Sequence, residues 1–325
     1  MKTPITLQMR VDNYLSERRR LGFKLNTMGN YLASVVRYVD QLGYRGSLTL
    51  ELMAAWAKLD KWQNEDPATW SRRIQALRPF TRYLQQFDPL TEIPDESIFG
   101  KVQGKGTPHI YYEQEIVDLL AAAKKLGPRG SLHAATYETL FGLIASAGLR
   151  VSEALHLLDS DVDLKQGMLT IRQTKFAKSR QLPLHQSTVQ ALLHYRRLRN
   201  IHIAITPETM FFAATKSKLP GQGLGNRTVH RAFESLRNQL GWKSRGTYDG
   251  PRIHDLRHTF AVRRVMLWHE QGSDIDQSML ALSTYMGHAK ISNTYWYLTA
   301  VPELMALVVG KFELFIQAQE VKHAK

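Results

Sequence analysis

The sequence predicts a mainly α protein: a small helical domain, then a larger, mostly helical domain with a small antiparallel β-sheet. Three observations predict it. Apolar residues recur at helical spacing through most of the chain, with glycine stops such as Gly22, Gly43 and Gly148. Residues 88–107 lose that periodicity and gather Pro89, Pro94, Gly100, Gly104 and Gly106 with Lys101 and Lys105, the composition of an exposed linker. One stretch, 168–184, switches to two short runs that read as a hairpin.

In chain order, residues 7–21 place Met9, Val11, Tyr14 and Leu15 near helical spacing and stop at Gly22 after Arg18, Arg19 and Arg20. Asn26 and Thr27 are expected to cap a second helix carrying Tyr31, Leu32, Val35, Val36 and Val39, closed by Gly43. Residues 49–58 and 67–87 supply a third and fourth, completing a domain over 1–100. On the fourth helix Arg72, Arg73, Arg78 and Arg82 read either as a face toward a phosphate backbone or as an ordinary solvated face; Arg72 and Arg73 are the DNA-contact candidates. The linker occupies 101–107 and the second domain 108–325.

That domain opens with a helix over 112–126, carrying Ile116, Leu119 and Leu120, and a long helix over 132–147 that Gly148 ends, leaving Arg150 just beyond. Helical spacing resumes over 151–158 and puts Glu153 one turn from Arg150, where its carboxylate can orient the guanidinium. Residues 168–174 and 180–184 form the hairpin, with Lys175 and Lys178 in its loop, suited to insertion toward a groove. Helices follow at 187–205, 226–240 and 254–268. Two more helical patterns meet across a short break at Gly287 and His288, and an apolar-striped helix closes the chain over 301–320. Its Leu304, Leu307, Val308, Phe312 and Phe315 exceed what a surface helix needs, so it is expected to dock into a neighbouring protomer; packing within its own chain is the other reading.

Size and charge bound the function. A chain of 325 residues with 43% hydrophobic content can build two cores. Lys and Arg outnumber Asp and Glu by 43 to 29, a net charge of +14 that favours a polyanionic partner, nucleic acid first. Both parts are basic, with 16 basic against 11 acidic residues up to Thr107 and 27 against 18 beyond it, as expected of a two-lobed clamp on a duplex. Zero cysteines exclude a disulfide framework and a thiolate metal cluster or nucleophile. No apolar run approaches the ~18 residues of a membrane span and the N-terminus lacks a signal-peptide core, so the expectation is a cytoplasmic, nucleoid-associated protein with no membrane partner.

The side chains that carry chemistry fall in three dense segments: Arg150 within Ala147–Glu153, His254 and Arg257 within His254–His258, and His288 with Tyr297. Cleaving a phosphodiester without a metal needs a nucleophile, fixed positive donors for the non-bridging oxygens, and an acid for the departing alkoxide. Guanidinium groups stay charged and grip phosphate oxygens through two bonds, which suits Arg150 and Arg257 to the donor role. His254 and Arg257, three apart on one helix, share a face. A tyrosine nucleophile stores the bond energy in a phosphoester, so strands can be rejoined without ATP or any cofactor.

The ordered set, Arg150 in Gly-Leu-Arg-x-x-Glu, a lysine on a hairpin, His254-x-x-Arg257, Gly287-His288 and then Tyr297, resembles the tyrosine recombinase (phage integrase) family over about 110–298. The resemblance implies a helical core-binding domain over 1–100, the mostly helical integrase catalytic fold over 108–325, and a site-specific recombinase that breaks and rejoins DNA through a 3′-phosphotyrosyl intermediate. Tyr297 would be the nucleophile and Lys175 the general acid. Arg150, Arg257 and His288 would hold the phosphate, and His254 would assist proton transfer. The expected partners are double-stranded recombination sites, bound as a homo-tetramer with a dimer per site, with room for a partner recombinase or a DNA-bending protein. Lys178 competes with Lys175, which is preferred because it directly follows the first strand. Tyr295 competes with Tyr297, which the nine-residue offset from His288 favours. The chain departs from compact members in the roughly thirty residues between Arg257 and His288, with 269–277 as the expected insertion.

Three rivals remain beside this reading. His254 and His258 at i, i+4 with His288 make a possible zinc set for a metallohydrolase, although no His-Glu-x-x-His supports it and two arginines would repel the cation, so no metal is expected. A type IB topoisomerase-like enzyme and a binding-only DNA protein on the same fold are the others.

Overall fold

The computed structural model describes residues 5–59, 65–100, 106–128, 131–172, 179–214 and 221–300, with side chains through Tyr297. The chain divides into two compact units, Met1–Lys105 and Gly106–Lys325.

In the first unit four helices, α1 (Leu7–Arg20), α2 (Asn26–Gln41), α3 (Leu50–Lys58) and α4 (Pro67–Leu84), bury their apolar stripes on one another. Trp56, Leu32, Ile74, Leu77 and Phe80 are essentially inaccessible at its centre. Side-chain oxygens of Thr6, Thr49 and Asp66 accept first-turn backbone N–H groups and start α1, α3 and α4, the last with Pro67 in its first turn. The expected cap of α2 is absent: Asn26 already belongs to the helix, and Leu25 turns the chain into it at φ 45° without a side-chain bond.

The second unit is built on α5 (Glu113–Ala123), α6 (Leu132–Ala147), α7 (Val151–Leu155), α8 (Gln186–His202), α9 (Asn226–Gln239), α10 (Ile253–Glu270), α11 (Ile275–Met286) and α12 (Ser292–Ala300). Its antiparallel sheet has the order β1 (Val162–Asp163), β2 (Met168–Ile171), β3 (Arg180–Pro183), one strand more than the expected hairpin. Val162 pairs Leu169, Leu169 pairs Leu182 and Ile171 pairs Arg180; Leu169, Ile171 and Leu182 are buried on one face.

Helices α6 and α10 bury residues around most of their circumference, which makes them the central struts. The first turn of α10, Ile253 and Leu256, joins the large core, while Phe260, Ala261, Val262 and Val265 build a second cluster with Met279, Leu282 and Met286 of α11 and Tyr297 of α12. Tyr111 fixes α10 in place: its backbone N–H donates to Thr259 Oγ1 at 2.9 Å and its hydroxyl to the Arg252 carbonyl at 3.1 Å. The stretch expected as an insertion, 269–277, is a tight helix–turn–helix. It ends α10, turns at Gly272 (φ 66°), and starts α11 with Asp274 Oδ1 accepting from the Asp276 and Gln277 backbone N–H groups. Among the described residues no helix is long and apolar enough to cross a membrane.

Candidate active site

Two glycine-ended helices bring distant parts of the sequence together. Gly148 (φ 61°) closes α6 in the left-handed conformation, and a Cβ there would lie 2.4 Å from the Phe260 ring, so α10 packs against this turn only because the side chain is missing. Leu149 is buried and Arg150 follows as N-cap of α7. The Arg150 backbone N–H donates to Glu153 Oε2 at 3.0 Å and its Nη1 to Oε1 at 2.6 Å, so one carboxylate both caps the helix and orients the guanidinium.

Gly287 (φ 64°) closes α11 in the same way, and the carbonyls at that helix end receive three arginines. Arg180 Nε donates to the Tyr285 carbonyl at 2.8 Å, Arg257 Nη2 to Met286 at 2.6 Å, and Arg150 Nη2 to Gly287 at 3.1 Å. These are the carbonyls a helix leaves without intrahelical partners, at the negative end of its dipole. Arg257 Nη1 donates to the Gly148 carbonyl at 2.6 Å, tying both glycine turns to one buried guanidinium.

Glu153 collects the positive charge. Arg180 donates to both of its oxygens, at 3.1 and 2.9 Å, and Arg257 Nη1 lies 3.8 Å away. Burial pushes the carboxyl up, but the bonds and charge of Arg180, the Arg150 backbone N–H and the charge of Arg257 outweigh it and hold it below the usual range. Burial, then the neighbouring Arg150, bring Arg257 down to about 10, still charged at neutral pH.

The imidazoles and the phenol meet beside this cluster. His254 and His258, one turn apart on α10, pack edge to face with ring centroids 4.7 Å apart. His258 Nδ1 lies 2.9 Å from the Tyr297 hydroxyl, and the His288 ring is 6.5 Å from the Tyr297 ring at an interplanar angle of 26°. His288 Nδ1 pairs with Thr294 Oγ1 at 2.7 Å. Burial and then the charge of Arg257 take His254 down to about 4, and burial followed by His254 takes His258 down to about 2, so both are neutral at pH 7. Burial raises Tyr297 to about 12 against the lowering charges of Arg257 and Arg150, so the phenol keeps its proton.

The structure thus brings Arg150, Glu153, His254, Arg257, His288 and Tyr297 together. The competing phenol of Tyr295 donates instead to Asp276 Oδ1 at 3.0 Å, on the α11 side. Lys175 and Lys178 lie outside the described residues, as does the helix expected over 301–320. In the first unit Arg72 is exposed, its Nη2 3.9 Å from Asp66. Arg73 does not face outward as expected: its guanidinium lies 4.7 Å over the Trp56 ring and donates to the Trp56 and Leu59 carbonyls, because a planar cation finds more there than in solvent. Among the described residues no three His, Asp or Glu side chains are placed to hold a metal.

Sequence reasoning missed two members. Arg180 was visible only as the first residue of a strand, and its role depends on α11 more than a hundred residues later. His258 was visible one turn from His254, as a candidate metal ligand, not as the partner of Tyr297.

A model of the phage integrase family matches residues 110–303, more than half of the chain and the whole of this cluster. The chain belongs to the phage integrase family. As a member it is a tyrosine-type, site-specific DNA recombinase that cleaves and rejoins DNA strands, and DNA is its partner. The integrase relationship extends beyond the matched segment. A putative integrase/recombinase, y4rB, of Sinorhizobium fredii (strain NBRC 101917 / NGR234) is 35% identical over 95% of this chain and 97% of its own length. Tyrosine recombinase XerC of Proteus mirabilis is 27% identical over 90% of both. The fold is shared with the Tn1549 transposon integrase solved in complex with transposon right end DNA, at TM-score 0.65 and 17% identity, covering 95% of this chain and 99% of that one. It is shared too with the XerH site-specific recombinase bound to its difH substrate, at TM-score 0.60 and 19% identity, covering 91% and 81%.

Proposed function

We propose that Tyr297 is the nucleophile of this recombinase and attacks the scissile phosphate to form a 3′-phosphotyrosyl link, releasing a 5′ hydroxyl. Arg150, Arg257 and His288 hold the non-bridging oxygens, His254 assists proton transfer, and Lys175 protonates the departing 5′ oxygen. The observation that carries this reading is the seating of Arg150 and Arg257 on consecutive carbonyls, Gly287 and Met286, immediately before His288. Among the described residues both guanidinium groups keep unused N–H donors in that position, and because their geometry is fixed before substrate arrives, little reorganisation is needed when charge develops on the phosphate. The phosphoester conserves the energy of the broken bond, so the reverse attack by a 5′ hydroxyl rejoins strands without ATP.

In this reading the unit Met1–Lys105 serves as a core-binding domain that grips DNA, with exposed Arg72 among its contacts. The recombination sites are double-stranded and carry a dimer each, paired as a homo-tetramer through the 301–320 segment docking on a neighbouring protomer. A cytoplasmic, nucleoid-associated location completes this reading, because DNA is the substrate. The deciding experiment offers the protein a suicide duplex containing the DNA that flanks its own gene. A covalent adduct mapped to Tyr297 is expected; an adduct of undiminished yield with Tyr297→Phe would overturn the assignment.

A further inference from the structure

We propose that His258, one helical turn beyond His254, is the general base of strand cleavage and takes the hydroxyl proton of Tyr297 as the phenolic oxygen attacks phosphorus. This rests on Tyr297 being the nucleophile. The two groups are 39 residues apart in sequence, and the packing of α10 on α12 sets their hydrogen-bonded distance at 2.9 Å. The His258 ring is held from three sides: edge to face by His254, at 5.8 Å by Trp296 and at 5.5 Å by Tyr297 itself. A general base must first be within hydrogen-bond reach of the proton it removes, and His258 satisfies that condition before any substrate is bound.

The direction of the bond follows from the surroundings. The buried phenol keeps its proton and is therefore the donor; His258 must present a bare Nδ1 lone pair, with its own proton on Nε2. The groups that face His258 are His254 on its own helix, the guanidinium groups of Arg252 and Arg257, and His288 from beyond α11, and each disfavours a resting imidazolium. A DNA phosphate brings negative charge to the same place, which raises the proton affinity of the imidazole when the phenol must give its proton up. In cleavage the Tyr297 oxygen–phosphorus bond forms and the phosphorus–O5′ bond breaks. The phenolic proton passes to His258 Nδ1, and the 5′ oxygen takes a proton from the acid assigned to Lys175. In rejoining, the 5′ oxygen–phosphorus bond forms as the 5′ hydroxyl returns its proton to that same acid, now in its basic form; the phosphorus–Tyr297 oxygen bond breaks, and the phenolic oxygen recovers its proton from His258.

The test uses the full chain and a suicide duplex at saturating concentration. His258→Gln supplies an amide oxygen that can still accept the bond but cannot carry the proton away, and adduct formation is expected to slow at least about 100-fold while DNA affinity is retained. The loss should persist on a duplex with a 5′-bridging phosphorothiolate, whose thiolate leaves without an acid, whereas that substrate should relieve a Lys175→Ala defect. A His258→Gln rate within about 3-fold of wild type overturns the proposal, since general-base loss is larger, and so does relief by the phosphorothiolate. Tyr297→Phe run in parallel separates the two readings: no adduct with Phe but a full rate with Gln sinks only the base, and an adduct with Phe sinks the nucleophile as well. Ring-nitrogen NMR of the wild-type protein gives an answer even if His258→Gln does not fold. A proton on Nε2 is expected, and a proton on Nδ1 overturns the proposal.

Discussion

Arg180 grips Glu153 through two parallel hydrogen bonds of 3.1 and 2.9 Å while its Nε reaches the Tyr285 carbonyl at the end of α11. A strand residue and a helix residue 27 positions apart are thus tied to a third element, and Arg150, bound to the same carboxylate and to Gly287, is positioned through them. Arg180→Ala leaves a buried carboxylate short of a partner, and a loss of about 2–4 kcal/mol in urea unfolding is expected. Arg180→Lys keeps the charge but not the fork, so covalent-adduct rate should fall more than stability does. An Ala variant as stable as wild type would show that the clamp carries no weight.

Gly287 carries two demands at once. Its φ of 64° suits glycine, and an added Cβ would lie 2.6 Å from Arg180 Nη1. Because that guanidinium is pinned at both ends, Gly287→Ala is expected to cost about 1–3 kcal/mol and to disturb the seat of Arg150. Thermal unfolding and adduct yield should drop together. Gly43→Ala, also at positive φ but with open space around it, should show the stability loss alone.

The helices were legible from periodicity because their stripes are local, and the residues of the site were legible because they sit in short dense segments. What stayed hidden is what depends on long-range geometry. The two-residue strand β1 is too short to have a period, and Leu25 in the left-handed region carries no signal that distinguishes it from any leucine. Arg73 looked like its neighbour Arg72 until the fold laid it on Trp56. The three carbonyls at 285–287 belong to the backbone, so no pattern of side chains could announce that Arg180, Arg257 and Arg150 would meet there.

Arg150→Ala and Arg257→Ala are each expected to cost at least about 3 kcal/mol of transition-state stabilisation, read as the fall in adduct-forming rate. The two differ in stability. Arg150 is partly exposed, while Arg257 is buried and joins the Gly148 and Met286 carbonyls, so only its removal should also lower the unfolding midpoint markedly. Equal stability of the two variants would contradict the structural part of this assignment.

The buried imidazoles also make stability depend on pH. An unfolded histidine titrates near 6.5, whereas in the fold burial holds His254 near 4 and His258 near 2, so the native state binds fewer protons than the unfolded chain. Their contribution is fully present above pH 6.5 and is lost as pH falls below it, by about 2 kcal/mol for each at pH 5. His109, lowered by burial and then by Arg245, adds in the same direction. Glu153 acts in a separate window: its depressed carboxyl stabilises the fold above its ordinary value of 4.5 and loses that effect below it. Unfolding followed between pH 7 and pH 5 should therefore report the histidines, and His258→Gln should lose about 2 kcal/mol less over that interval than wild type. A slope identical in the two proteins would mean that His258 is protonated as readily in the fold as outside it.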